Sequence, residues 1–79
     1  MLTEITVNGD TAHVGDEVII RLHPGLARRD FGSGWRVGTV IAIAHDIIAD
    51  EPIIELERGV PVYAAHIKHL SVLDGTGRG

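Results

Sequence analysis

Polar and apolar positions alternate with a period of two from the start of this chain. Glu4-Ile5-Thr6-Val7 predicts a short edge strand, closed by a turn at Asn8-Gly9-Asp10. A second turn signal, Val14-Gly15-Asp16, precedes Val18–Leu22. There Val18, Ile20 and Leu22 face inward, and Ile19 and Arg21 face the other way. His23–Gly34 holds Pro24-Gly25, Arg28-Arg29-Asp30 and Gly32-Ser33-Gly34, a density of breakers that predicts a loop. Its twelve residues reach the upper end of common loop lengths, where function is often found. Trp35–Ala44 is the strongest strand pattern. Strict alternation puts Val40, Ala42 and Ala44 on one face and Ile41 and Ile43 on the other, so both faces are apolar. His45–Glu51 is a connection that still carries Ile47 and Ile48. Ile53–Leu56 reads as a strand, Arg58-Gly59 as a tight turn and Val60–Tyr63 as a strand whose Pro61, lacking an N–H, marks an edge. Ala64–Lys68 reads as one helical turn, Leu70–Leu73 closes the sheet, and Asp74–Gly79 is a Gly-rich tail expected to fray.

Five short strands, one long early loop and a helical turn before the last strand predict an all-β fold. The outline is a small five-stranded SH3-like barrel forming a single domain over residues 1–79, with its core over 14–73 and a flexible tail over 74–79. An oligonucleotide-binding-type barrel would need longer strands and a helix between the third and fourth, for which there is no room. Composition agrees: 44% of residues are hydrophobic but only 4% aromatic, so Val, Ile, Leu and Ala must build the core, and β-branched residues favour strands. With no cysteine, neither disulfides nor a thiolate zinc cluster can hold so short a chain together. The longest uncharged apolar run, Val37–Ala44, falls far short of the ~20 residues of a membrane helix. Met1-Leu2-Thr3-Glu4 lacks the start of a signal peptide. A cytoplasmic protein with no membrane association is the expectation.

The apolar content exceeds what one small barrel can bury. Ile47-Ile48 and Ile53-Ile54 are adjacent pairs, and neighbours on a strand point to opposite faces. Outward isoleucines follow, each worth roughly 1.5–3 kcal/mol if covered. A homo-oligomer, dimer or tetramer, with a subunit interface on Ile41, Ile43 and Ile54, is the simplest reading.

Charge adds a polarity to the chain. The net charge is −4, which argues against general nucleic-acid binding. Arg21 to Arg36, however, holds four arginines against one acid, and Asp46 to Glu57 holds five acids with no Lys or Arg. A basic loop beside an acidic hairpin suits an anionic ligand, or the acidic segment of a second copy. His66 and His69, three apart in the expected helical turn, are the only weak metal candidates, and they lack an evident third ligand beyond His45-Asp46. No catalytic residue stands out. Ser33 and Ser71 sit in no nucleophile elbow, Gly32-Ser33-Gly34 is no dinucleotide fingerprint, and Glu55 with Glu57 reads as the solvent face of a hairpin. Phe31, Trp35 and Tyr63 are too few for a methyl-lysine cage or a base-stacking platform.

Gly15-Asp16-Glu17-Val18, Trp35-Arg36-Val37-Gly38 and Gly59-Val60-Pro61-Val62-Tyr63, followed by a short turn and Leu70, resemble the type II dihydrofolate reductases carried on plasmids and integrons. The resemblance implies an SH3-like barrel and a homotetramer whose central pore binds NADPH and dihydrofolate. The family's pore strand reads Val-Gln-Ile-Tyr, so Val62 and Tyr63 match its last two residues. Pro61 replaces the glutamine and offers no polar side-chain atom. The family's lysine falls at Ile20, with Arg21 on the opposite face. The resemblance therefore implies fold and assembly, and it argues against reductase activity. A weaker likeness, through His23-Pro24, Arg28-Arg29 and Gly38-Thr39-Val40, is to the SH3-like part of nitrile hydratase β-subunits, which implies a partner-stabilising piece.

The reading that results is a non-enzymatic SH3-like interaction or oligomeric module without a cofactor, binding an anionic ligand or a partner protein. Its contacts would be Arg28, Arg29, Trp35, Val62 and Tyr63, on the loop His23–Trp35 and the strand Val60–Tyr63. The alternatives are a divergent type II reductase-like pore protein binding NADPH and folate, and an SH3-like nucleic-acid-binding domain.

Overall fold

The computed structural model describes residues 2–24 and 34–74. Strands β1 (Glu4–Val7) and β2 (Asp10–His13) form an antiparallel hairpin in which Ile5 faces Ala12 and Thr6 faces Thr11. Asn8 and Gly9 both have positive φ, 51° and 89°. This is the two-residue turn whose twist matches its strands, and Asn-Gly is the sequence that tolerates it. The hairpin buries Ile5, Val7 and Ala12, while the hydroxyls of Thr6 and Thr11 meet at 2.8 Å on its other face. Strand β2 escapes the periodicity reading because Ala12 is its one inward residue and is small.

The remaining strands are β3 (Glu17–Leu22), β4 (Trp35–Asp46), β5 (Glu51–Leu56), β6 (Val62–Tyr63) and β7 (Ile67–Asp74). They form one antiparallel sheet in the order β6-β5-β4-β3-β7. Four consecutive strands run as a meander. After a single 3-10 turn, Ala64–His66, the last strand returns to pair with the first of the four. The all-β fold and the helical turn before the last strand are as expected from the sequence, the turn ending at His66 rather than Lys68. The sheet is open: no ladder joins β6 to β7 among the described residues.

Strand β4 serves two ladders. Its first half pairs with β3, from Arg21↔Trp35 to Glu17↔Thr39, and its second half pairs with β5, from Val40↔Leu56 to Asp46↔Glu51. Between Val40↔Leu56 and Ala42↔Glu55 it carries one residue more than its partner, a β-bulge at Ile41. An extra residue reverses which side chains face the core from that point on. Val40 is inward before the bulge and Ile43 inward after it, paired with Ile54, while Ile41 stays 50% exposed. The expected grouping of Ile41, Ile43 and Ile54 on one outward interface is thereby corrected. Ile43 and Ile54 are fully buried core residues, and only Ile41 reaches the surface.

The core is the layer enclosed by the curled sheet and the hairpin. Val18, Ile20 and Leu22 of β3 meet Val40, Ile43, Ile54, Leu56, Val62, Ile67 and Leu70 from the sheet, and Ile5, Val7 and Ala12 from the hairpin. One charged residue is fully buried with them, Asp16. Its Oδ2 accepts the His13 N–H at 2.9 Å, and its own N–H donates to the His13 carbonyl at 3.0 Å. Gly15, with φ 98°, provides the left-handed position of this turn and donates to the Val40 carbonyl at 2.8 Å. Val40 in turn donates to the Asp16 carbonyl at 2.9 Å. The turn thus ties the hairpin, the start of β3 and the middle of β4 together. At the chain start, Leu2 donates to the Ile43 carbonyl at 3.0 Å, and Asn8 Nδ2 donates to the Lys68 carbonyl on β7 at 2.9 Å. Among the described residues no helix is long and apolar enough to cross a membrane.

The phase reversal at Ile41 has a measurable consequence. Ile43→Val and Ile54→Val each remove a buried methylene and should cost about 0.5–1.5 kcal/mol in urea unfolding. Ile41→Val should stay within about 0.5 kcal/mol of the parent chain. A larger loss at Ile41 than at Ile43 would contradict the bulge.

Candidate functional site

Two ends of β4 carry the concentrations of unusual side chains. At its C-terminal end, Asp46 organises the turn to β5. Its Oδ1 accepts the N–H groups of Ile48 at 2.9 Å and Ala49 at 3.1 Å, an Asx-type turn closed by the side chain itself. Its Oδ2 accepts the Tyr63 hydroxyl at 2.9 Å, a bond from β6 across the strand between them. His45 Nε2 lies 3.1 Å from Asp50 Oδ1, and Asp50 closes the turn in the left-handed region at φ 54°. The result is a tightly braced turn that holds two isoleucines in water: Ile47 is 87% exposed and Ile48 98%.

These hydrogen bonds set the protonation of the pair. The Ala49 N–H, then the Tyr63 hydroxyl, hold the Asp46 carboxyl below the usual carboxylate range. The Ile48 N–H and nearby His45 add to this, and partial desolvation opposes it. The same carboxylate raises the Tyr63 phenol, first as its hydrogen-bond acceptor and then as a neighbouring negative charge, with burial and Glu51 acting in the same direction.

At the N-terminal end of β4, Trp35 and Val37 project from the outer face of the sheet, 52% and 59% exposed. Across β3 they face Arg21 and Ile19, and on the far side of β3 these face His69 and Ser71 of β7. The Arg21 guanidinium sits over the Trp35 ring, 5.4 Å from its centre, a cation–π contact. Arg36 Nη1 donates to the Trp35 carbonyl at 2.9 Å. Lys68 and His69 are exposed on β7, as is Leu73 beyond them. This end therefore combines an apolar strip with cationic groups, and the opposite end combines exposed isoleucines with carboxylates.

The candidates named from the sequence are dispersed. Arg28 and Arg29 lie outside the described residues. Trp35 is on the outer face as an exposed side chain. Val62, expected as a ligand contact, is corrected to a core residue, fully buried because β6 turns that side chain inward against Ile54. Tyr63 is half-buried, with its hydroxyl committed to Asp46. Trp35 and Tyr63 do not converge, since Tyr63 pairs through Ile53 with Ala44, at the other end of β4. Nine residue steps at about 3.3 Å each amount to roughly 30 Å of strand.

His66 and His69 do not share a helical face, because the 3-10 turn ends at His66 and β7 begins at Ile67. The His66 ring packs obliquely against Tyr63, with centres 5.6 Å apart, whereas His69 stands beside Arg21. Among the described residues there is no group of three or more His, Cys, Asp or Glu side chains placed to hold a metal, and no cavity. Asp46 is the functional-looking residue that sequence reasoning missed. Its Asx turn could have been suspected from an acid two and three residues before the turn's N–H groups, but its bond to Tyr63, seventeen positions away, could not. Comparison with protein families, with curated proteins and with solved structures finds no match.

The Asp46–Tyr63 pair predicts a pH signature. Because folding lowers the Asp46 value, its stabilisation is present above its unfolded value of 3.8 and is lost as pH falls through the folded value. Because folding raises Tyr63 above 10.0, its contribution is present below that and is lost as pH climbs through the folded value. Asp46→Asn should melt below the parent chain at neutral pH, and the gap should narrow in acid. Tyr63→Phe should do the same more weakly and flatten the alkaline limb. Parallel melting curves for parent and Asp46→Asn from about pH 2 to 7 would contradict the assigned bonds.

Proposed function

We propose that this chain is a non-enzymatic SH3-like interaction module that works as a homo-oligomer and takes an anionic ligand or an acidic partner segment at its basic end. One observation carries the reading. The outer face of the sheet leaves Trp35, Val37 and Ile41 about half exposed, and Leu73 on β7 is exposed as well, on a domain that already has a complete inner core. Single exposed apolar side chains are ordinary, but a strip of them along one strand, next to others on β7, is the mark of an interaction surface. Arg21 stands on that face beside Trp35. Arg28 and Arg29 fall between β3 and β4 in the sequence, outside the described residues.

Two measurements test the reading. Light scattering after size exclusion should give two or four times the 8.5 kDa chain mass, and a monomer throughout the concentration range would remove the oligomer. The double variant Arg28→Ala, Arg29→Ala should keep the parent melting temperature and weaken binding of inorganic pyrophosphate about tenfold, the loss of one to two charge-assisted contacts. Unchanged affinity would remove the anion-binding part and leave the oligomer standing.

A further inference from the structure

The two ends of β4 are complementary to each other and cannot meet within one chain. We propose that the tip of the β4–β5 hairpin of one copy docks on the outer sheet face at the Trp35 end of a second copy. This inference rests on the oligomeric reading above and specifies which surfaces make the contact.

The shape of the tip comes first. Ile47 and Ile48 are the most exposed large apolar side chains described, and they sit on a turn whose backbone is fixed by Asp46, braced by Tyr63 and closed by Asp50. A rigid apolar projection loses little conformational freedom when it docks, which makes it an efficient anchor. The receiving surface is the strip of Trp35, Val37 and Ile19 on the outer face of the sheet, partly open to solvent. Tryptophan and arginine, in contact here as Trp35 and Arg21, are among the residues enriched where interfaces gain their affinity.

Charge then selects the partner. The tip is bordered by Asp46, Asp50 and Glu51, and no Lys or Arg occurs anywhere from Val37 to Glu57. The low Asp46 value keeps that carboxylate ionised at neutral pH. On the same outer face Arg21 stands beside Trp35, with His69 across from it on β7, whereas Glu17 stands at the far end of the strip and Arg36, opposite Ile20, leaves the inner face. The acid-rimmed projection is attracted to the arginine end of the strip, while two such tips repel each other, so unlike ends pair. Eleven residue steps of β4 separate Trp35 from Asp46, roughly 36 Å along a straight strand, too far for a chain to satisfy its own strip. Each copy therefore offers one tip and one strip to others. Two antiparallel copies can satisfy both contacts, and a closed ring of copies can do the same head to tail.

The test separates unlike from like pairing. Ile47→Ser with Ile48→Ser removes the tip at positions so exposed that folding is unaffected. Val37→Glu places an acid in the strip, where it opposes the acidic tip. Each variant is first shown to melt like the parent chain. Each alone should lose assembly, with its dissociation constant raised about tenfold or more. Mixed in equal amounts they should form a heterodimer by light scattering, since the tip of one still meets the strip of the other. Raising salt from about 0.05 to 0.5 M should weaken the parent assembly. A parent chain that is monomeric overturns this inference and the oligomeric reading together. A parent oligomer whose mass survives loss of the tip, or variants that do not pair on mixing, overturns this inference alone and points to strip-to-strip packing.

Discussion

One strand is asked to satisfy two ladders at once, and that requirement shapes the rest of the molecule. β4 gives its first half to β3 and its second half to β5. A straight strand could not do this and keep a single inward face, because the sheet must curl between the two halves. The extra residue at Ile41 supplies the bend and resets the phase, so Val40 and Ile43 both reach the core although they are three apart. The cost of about one unpaired position is offset by Ile43 packing on Ile54 at the centre of the fold. The outward strip on the first half and the projecting turn at the far end are both consequences of where this strand starts, bends and stops.

Two carboxylates hold the irregular segments that the ladders leave unsupported, and they do so under different conditions. Asp16 is wholly buried and works inside a turn whose backbone is also bonded to β4, so the hairpin and the sheet share one junction. Asp46 stands at the surface and replaces the ladder with its own oxygens just where β4 runs out. In both cases a short acidic side chain accepts N–H groups that no strand can reach, the property that makes Asp a turn former.

Much of this architecture is legible in the sequence, and the exceptions have physical reasons. Period-two alternation places β1, β3, β5 and the long strand β4. Glycine and proline mark the turns, and the short helical turn after Tyr63 precedes the closing strand as expected. Strand β2 is hidden because a hairpin arm can be held by its turn and its ladder with only Ala12 to bury. The inward face of β4 beyond Val40 is misread because a bulge leaves no mark in hydrophobicity when the residues on both sides of it are apolar. Val62 reads as a surface contact in sequence but lies in the core because only two residues of its segment pair, and that short register fixes which one turns inward. The opposed charge of Arg21–Arg36 and Asp46–Glu57 is readable from composition alone, whereas the bracing of the turn by Tyr63 depends on tertiary contact.

The turn at Asn8-Gly9 reaches further than its own hairpin. Asn8 Nδ2 caps the Lys68 carbonyl, at the start of one border strand of the sheet, and Pro61 stands without an N–H immediately before β6, the other border strand. Open borders are where β-proteins recruit stray strands and grow into fibrils. With one border partly occupied by an amide and the other lacking a donor at its entrance, a chain so rich in Val and Ile is hindered from recruiting further strands through its edges.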